Sequence, residues 1–265
     1  MMERNLLFFD IDGTLITEDG RRYLPDSARD AIQQTRLRGN LCFINTGRVL
    51  LNIEPFIRDI GFDGFVCGCG TYIQYHGQPL FHNRLPKKLC DDTALLAREC
   101  RMYSLFESAD KNGIDPELEQ HPEVIKLKNH FQELGREIQD FVGTTEFSFD
   151  KFTGWFEEDC DLERFMEGIK DSFTFIRRGE GFCEIVPKGF SKATGIDFLC
   201  DYFQIPLERC YAFGDSTNDL SMLLHVPNSI GMANGMKEVL DVVSYITSSV
   251  EDNGLYHAME HFQLI

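Results

Sequence analysis

The run Leu6-Leu7-Phe8-Phe9-Asp10-Ile11-Asp12-Gly13-Thr14-Leu15 limits what this chain can fold into more than any other segment. Four consecutive apolar residues predict a strand buried on both faces, the pattern of a parallel sheet covered by helices. That strand ends in two carboxylates with a glycine turn behind them. In open α/β sheets, ligands bind at the carboxyl ends of strands. Two acids placed there are costly unless positive charge joins them, and a divalent cation is the obvious candidate. A second segment repeats the design. Cys210-Tyr211-Ala212-Phe213 leads into Gly214-Asp215, and Asp219 follows in the first turn of a helix expected from about Asn218 to Leu224. Oxygen ligands from two strand ends suit Mg²⁺, which takes few carboxylates and keeps its waters. Asn218 and Asp219 can equally cap that helix.

The surrounding pattern alternates strand and helix. Asp26 is expected to cap a helix running to about Arg38, with Gly39 as its stop. Leu41 to Ile44 reads as a second buried strand, Val49 to Ile60 as a helix kinked or restarted at Pro55, and Phe65 to Cys67 as a third strand. Further on, Ser191 caps a helix to about Phe203; strands are expected near Ile230 and Tyr245, and helices near Lys237 and His257. Alternation at both ends predicts an α/β fold with a doubly wound, Rossmann-like parallel sheet. Between them the pattern changes to two or three helices and several aromatic strands, at Glu146 to Phe149, Gly154 to Phe156 and Phe173 to Arg177. The expected architecture is a discontinuous core of residues 1–84 and 188–265, with an α+β domain of residues 85–187 inserted after the third strand.

Two further segments carry chemistry. Asn45-Thr46-Gly47-Arg48 follows the second strand and is expected to open a helix. A hydroxyl and free backbone N–H groups at Thr46 and Gly47 would form a phosphate site there. Ordinary capping by Asn45 or Thr46 is the plainer alternative. Lys192 follows Ser191 at a helix start, where a cation opposes the macrodipole. A locally unfavourable choice points to function. Lys188 competes for the same role, and Arg177 and Arg178 read equally well as a solvated basic turn.

The net charge of −17 argues against nucleic acid as a partner. A small anionic substrate stays open, since one metal ion and a few basic side chains reverse the local field. No apolar run reaches the roughly 18 residues that cross a bilayer. The charged start, Met1 to Asn5, leads into too short an apolar run for a signal peptide, so a cytoplasmic location is expected. Cys67 and Cys69 lack a second cluster to complete a zinc site, and the nine cysteines read as buried thiols of a reducing compartment. Nothing in the sequence signals an oligomeric state.

In this order, Asp10/Asp12/Thr14, Thr46, Lys192 and Asp215/Asp219 resemble the four motifs of the haloacid dehalogenase superfamily of phosphohydrolases. The run from Gly214 to Leu223, Gly231-Met232-Ala233-Asn234 and Glu251-Asp252-Asn253-Gly254 resemble its Cof-type branch. The long insert between the second and third motifs is similar to the α+β cap of that branch. The resemblance implies a Mg²⁺-dependent phosphatase acting on a small phosphorylated metabolite, such as a sugar phosphate, with the cap reading the leaving group. It implies that Asp10 is the nucleophile and forms an aspartyl-phosphate, and that Asp12 is first general acid and then general base. The metal would be held by the Asp10 side chain, the Asp12 main-chain carbonyl and Asp215, with Asp219 a further ligand or an orienting partner. Thr46, Gly47, Lys192 and Asn218 would contact the phosphate. Cys69-Gly70-Thr71 departs from the family's frequent Asn-Gly-Ala, and Met232-Ala233-Asn234-Gly235 from Met-Gly-Asn-Ala. Those changes bear on substrate contacts rather than on phosphoryl chemistry. A phosphomutase using Asp10 and Asp12, or a non-catalytic binder of sugar phosphates, are the competing readings.

Overall fold

The computed structural model describes residues 4–118, 121–133, 135–139 and 142–265. Strand β1 (Leu6–Phe9) is buried at all four positions. It is followed by α1 (Asp26–Leu37), β2 (Leu41–Asn45), α2 (Pro55–Arg58), β3 (Gly64–Cys67), β4 (Tyr72–Tyr75) and β5 (Gln78–His82). Next come α3 (Lys87–Glu99), β6 (Tyr103–Glu107), β7 (Asn112–Ile114), α4 (Pro122–Glu133), β8 (Lys151–Trp155), α5 (Leu162–Ile169), β9 (Phe173–Gly179) and β10 (Phe182–Pro187). The last group is α6 (Lys192–Phe203), β11 (Cys210–Gly214), α7 (Leu220–Leu223), β12 (Asn228–Met232), α8 (Lys237–Leu240), β13 (Tyr245–Thr247) and α9 (Gly254–His261).

The described residues form two compact units. One holds the chain up to Arg48, Ile53–Phe81 and Phe190–Ile265; the other holds Val49–Asn52 and His82–Gly189. The chain does not leave the first unit after its third strand. β4 turns back antiparallel to β3 and β5 extends the sheet further, so the break falls after Phe81.

In the first unit, an eight-stranded sheet runs β13-β12-β11-β1-β2-β3-β4-β5 among the described residues. β1 pairs in parallel with β11 on one side and β2 on the other. The chain therefore winds away from β1 in both directions, which creates a topological switch point at its carboxyl end. Leu6 and Phe8 pack into one cluster with Phe43, Val66, Ile196, Leu199 and Met222. Phe9 stacks on Phe213 at 4.7 Å. Full burial of each such side chain is worth about 1.5–3 kcal/mol, so the apolar run fixes β1 at the centre.

Several local expectations are corrected. Asp26 is the first helical residue of α1, and Pro25 precedes it with no side-chain cap. Pro25 holds the cap position with extended backbone, and its carbonyl accepts from the Ala28 and Arg29 N–H groups at 3.0 and 3.3 Å, so Asp26 falls inside the first turn. The helix expected over Val49 to Ile60, kinked or restarted at Pro55, does restart there as α2, but the part before it is only a 3-10 turn at Leu50–Asn52. Proline cannot sit inside a helix without losing a hydrogen bond, and it starts one instead. The helix expected from Asn218 begins as a 3-10 turn at Thr217–Asp219 before α7.

In the second unit, the antiparallel order is β7-β6-β8-β10-β9. Phe106, Phe147, Phe149, Phe152, Phe165 and Phe173 form one buried cluster with Cys90, Ala94 and Ala97 of α3. On the opposite face, Tyr103, Leu105 and Ile114 pack with Val124 and Phe131 of α4. Glu146 to Phe149 is not a strand. The Phe147 N–H bonds back to Thr144 O at 3.2 Å while Phe147 and Phe149 both enter the aromatic cluster. The i, i+2 burial that imitates a strand is produced by two anchors on a loop.

The same sheet carries a buried charge network. Lys151 joins Glu184 and lies 3.4 Å from Glu107, and Arg178 also reaches Glu184. Burial alone would raise the Glu184 carboxyl; Lys151 and Arg178 outweigh it and hold it at about 2. Its charge therefore adds stability that is complete above about pH 4.5 and lost as pH falls toward 2. Glu107 acts in the opposite sense, since burial raises its carboxyl. Circular dichroism melts between pH 5 and 3 are expected to fall more steeply for the wild type than for Glu184→Gln, by on the order of a few kcal/mol in total. Parallel curves would remove Glu184 from the acid response.

Candidate active site

The turn after β1 is built by backbone geometry. The Asp10 N–H bonds to Phe213 O at 3.1 Å, which carries the pairing one residue past the strand. The Leu15 and Ile16 N–H groups both return to Ile11 O. Gly13 has φ +72°, and a Cβ there would lie 2.4 Å from Asp215 Oδ2. Only glycine permits both that conformation and that approach. The side chain of Asn234 ties the turn from outside, donating to Gly13 O at 2.8 Å while its Oδ1 accepts from Val250 N at 2.9 Å.

Asp10, Asp215 and Asp219 meet at this switch point. All three are buried, and their carboxylate oxygens lie within 4.8 Å of one another. Lys192 enters the group from the first turn of α6, where Ser191 and Thr194 close a capping box. Its Nζ donates to Asp10 Oδ1 and Asp219 Oδ1, both at 2.5 Å, and its side chain is 1% exposed. Burial pushes the lysine down, but the two carboxylates outweigh it and hold it charged. Asp219 Oδ2 accepts from the Asp215 and Ser216 N–H groups at 3.0 and 3.1 Å, which fixes the loop after β11. Thr14 donates to Asp215 Oδ1 at 2.7 Å.

Three buried acids face one buried ammonium. Burial, and then the charge of Asp219, push the Asp10 carboxyl up to about 7 despite Lys192. The same two causes push Asp215 up to about 8 against the Thr14 hydrogen bond. A set of this kind binds protons at neutral pH unless further positive charge joins it. Oxygen donors with a deficit of positive charge are the chemistry that accepts a hard divalent cation. The residues present therefore fit such an ion.

Asp12 does not join the cluster through its carboxylate. Its side chain is 30% exposed and lies against Arg48 and Arg22. Arg48 Nη2 donates to Asp12 Oδ1 and Oδ2 at 2.8 and 2.6 Å, and Arg22 Nη1 lies 2.9 Å from Oδ1. Glu54 spans both arginines, at 2.7 Å from Arg48 and 3.1 Å from Arg22. Neither this arginine pair nor Glu54 is among the site residues expected from the sequence. Arg48 had a signal, as a cation beside Thr46-Gly47; Arg22, with φ 49°, had none.

Thr46 is buried at the end of β2. No helix opens there: its N–H is bonded to Val66 O at 2.9 Å, and its Oγ1 accepts from Arg48 N at 3.2 Å. The helix-start amides expected at Thr46 and Gly47 are thus replaced by a loop held between β2 and β3. Cys69 adopts φ 56°, and its N–H bonds to Thr46 O at 3.1 Å, so the departing Cys69-Gly70-Thr71 segment braces this loop. Asn218 is half-buried and accepts from Ser216 Oγ at 2.5 Å. Lys188 is exposed, Arg178 pairs with Glu184, and Arg177 lies over the Phe156 ring.

Residues 7–259 match the family of haloacid dehalogenase-like hydrolases. The chain is 26% identical, over the full length of both proteins, to a putative phosphatase of Bacillus subtilis, YkrA. Its fold is similar to that of a hypothetical protein of Geobacillus kaustophilus, with TM-score 0.86, 26% identity and 99% and 100% of the two chains covered. It is also similar to BT4131, described as a subclass IIB sugar phosphatase, with TM-score 0.80, 24% identity and 98% and 100% covered. The chain belongs to the haloacid dehalogenase-like hydrolases, among the phosphatases of the Cof-type branch. The core sheet and the separate antiparallel sheet of the insert are the architecture of that branch. Among the described residues, no helix is long and apolar enough to cross a membrane.

Proposed function

We propose that this phosphatase is Mg²⁺-dependent and hydrolyses a small phosphorylated metabolite, a sugar phosphate or similar compound, through an aspartyl-phosphate at Asp10. The observation that carries this reading is the buried Asp10–Asp215–Asp219 group with Lys192 inside it. Asp10, Asp215 and the Asp12 main-chain carbonyl would hold the ion, with Asp219 beside them. Bound there, Mg²⁺ supplies positive charge that lets a carboxylate approach an anionic phosphate.

Asp10 attacks phosphorus, the bond to the leaving oxygen breaks, and Asp12 gives that oxygen its proton. In the second half, Asp12 takes a proton from water, which attacks the aspartyl-phosphate and releases inorganic phosphate. Lys192, Thr46, Gly47 and Asn218 bind the phosphoryl oxygens, and most of the catalysis is positioning and charge stabilisation. Arg48 and Arg22 hold the Asp12 carboxylate in place between these proton transfers. The inserted unit acts as the cap that reads the leaving group. The name of BT4131 supports the sugar-phosphate class. A phosphatase rather than a mutase is favoured by the family position.

Purified protein assayed against a panel of phosphorylated sugars and related metabolites is expected to release phosphate with Mg²⁺ and to stop in EDTA. Silence across the panel with Mg²⁺ present would favour the non-catalytic reading. Isomerised hexose phosphate as the product would favour the mutase. Arg48→Ala is expected to lower kcat/KM by ~10²-fold on alkyl phosphates, whose poor leaving group needs a proton, and by less than ~10-fold on p-nitrophenyl phosphate. Equal losses on both substrates would show that Arg48 does not serve Asp12.

A further inference from the structure

Outside the catalytic group, two cysteines are held in contact. Cys200 lies in the last turn of α6 and Cys210 is the first residue of β11, and their sulfurs are 3.2 Å apart. The turn between them is fixed by its backbone. Gln204 takes φ 54°, the Ile205 N–H bonds to Cys200 O at 3.0 Å, and the Arg209 N–H bonds to Pro206 O at 3.0 Å. The approach of the sulfurs is thus imposed by the helix-to-strand turn. A disulfide places sulfurs about 2.05 Å apart, so closure asks for a movement of about 1 Å.

We infer that Cys200 and Cys210 are a redox-active dithiol, a site of reversible disulfide formation within the first unit. The two thiols are not equivalent. Cys200 is half-buried, whereas Cys210 is fully buried. The sulfur–sulfur contact with Cys210 lowers the Cys200 thiol, and burial only partly opposes it; the same contact, with burial, pushes Cys210 far up. The remaining half-buried thiol, Cys160, is pushed up by burial to about 11. Cys200 is therefore the group that an external oxidant meets first, and Cys210 is the group that resolves the product.

With a small-molecule disulfide such as oxidised glutathione as oxidant, the exchange balances in two steps. The Cys200 thiolate attacks one glutathione sulfur, forms a mixed disulfide and releases one glutathione thiolate. Cys210 then gives up its proton, its sulfur attacks Cys200 Sγ, and the second glutathione thiolate leaves. Two protein thiols become one protein disulfide, and oxidised glutathione is reduced to two thiols. The new bond ties the helix that begins with Lys192 to the strand that delivers Asp215.

The test is peptide mapping of the intact protein after incubation with oxidised glutathione. The expected result is a loss of two hydrogens, a cross-link joining the peptides of Cys200 and Cys210, and full reversal by dithiothreitol. Cys210→Ser is expected to accumulate a stable glutathione adduct at Cys200, and Cys200→Ser to take up neither modification at these positions. A first disulfide between any other pair, or a mixed disulfide at Cys200 that persists in the wild type, would overturn the inference. The wild-type map decides the matter even if a variant fails to fold.

Discussion

Asp10→Asn is expected to fold with the wild type and to lose at least ~10³-fold in turnover, the scale of removing a covalent nucleophile. Asparagine keeps the shape of the side chain and its oxygen can still accept from Lys192, which lies 2.5 Å from Asp10 Oδ1. It cannot form the acyl phosphate. The substitution also removes one of three acids from a group short of positive charge, so its melting temperature in EDTA should not fall. Steady-state phosphate release with saturating Mg²⁺, together with a thermal melt, checks both statements. Turnover within tenfold of the wild type would mean that Asp10 is not the nucleophile.

Lys192→Met is the second large effect, and it reverses the stability pattern. Methionine fills a similar volume but leaves Asp10, Asp215 and Asp219 buried together without their one ammonium. Deleting one partner of a buried ion pair costs about 3–5 kcal/mol, because the other charge stays behind. With the phosphoryl-binding role proposed for Lys192, its loss should lower kcat by ~10²–10³-fold. Since a cation can replace some of the missing charge, added Mg²⁺ is expected to raise the melting temperature more for Lys192→Met than for the wild type. Melts in EDTA and in Mg²⁺ measure this directly; a variant that melts with the wild type in EDTA would refute the charge argument.

These two positions also show what a linear sequence reveals. Leu6 to Phe9 is legible because a strand buried on both faces tolerates no polar residue, and the acids after it then have one place to be. Lys192 is legible as an oddity, a cation at a helix start. The reason for it becomes visible only when β1, β11 and α6 converge, since its two carboxylate partners lie 182 and 27 residues away in sequence. Arg22 was invisible for a related reason. A basic residue in a polar loop has no signature, and its tie to Asp12 appears only once the chain has folded, with Arg22 at φ 49°. Phe147 and Phe149 misled in the other direction. Alternating burial is what a strand produces, but two aromatic anchors on a loop bury the same residues without a ladder. Over Val49 to Ile60 the restart at Pro55 was legible, because proline lacks the donor a continuing helix needs; that the segment before it is only a 3-10 turn at Leu50–Asn52 was not.

The clasp that Asn234 makes between Gly13 and Val250 has a consequence for biosynthesis. As the polypeptide emerges from a ribosome, the strands of the inserted unit are all made early, whereas the turn after β1 must wait for its partner segments from the far end. A nascent chain halted before that asparagine is released therefore carries every acid of the catalytic group, yet lacks the side chain that secures the bend ahead of them.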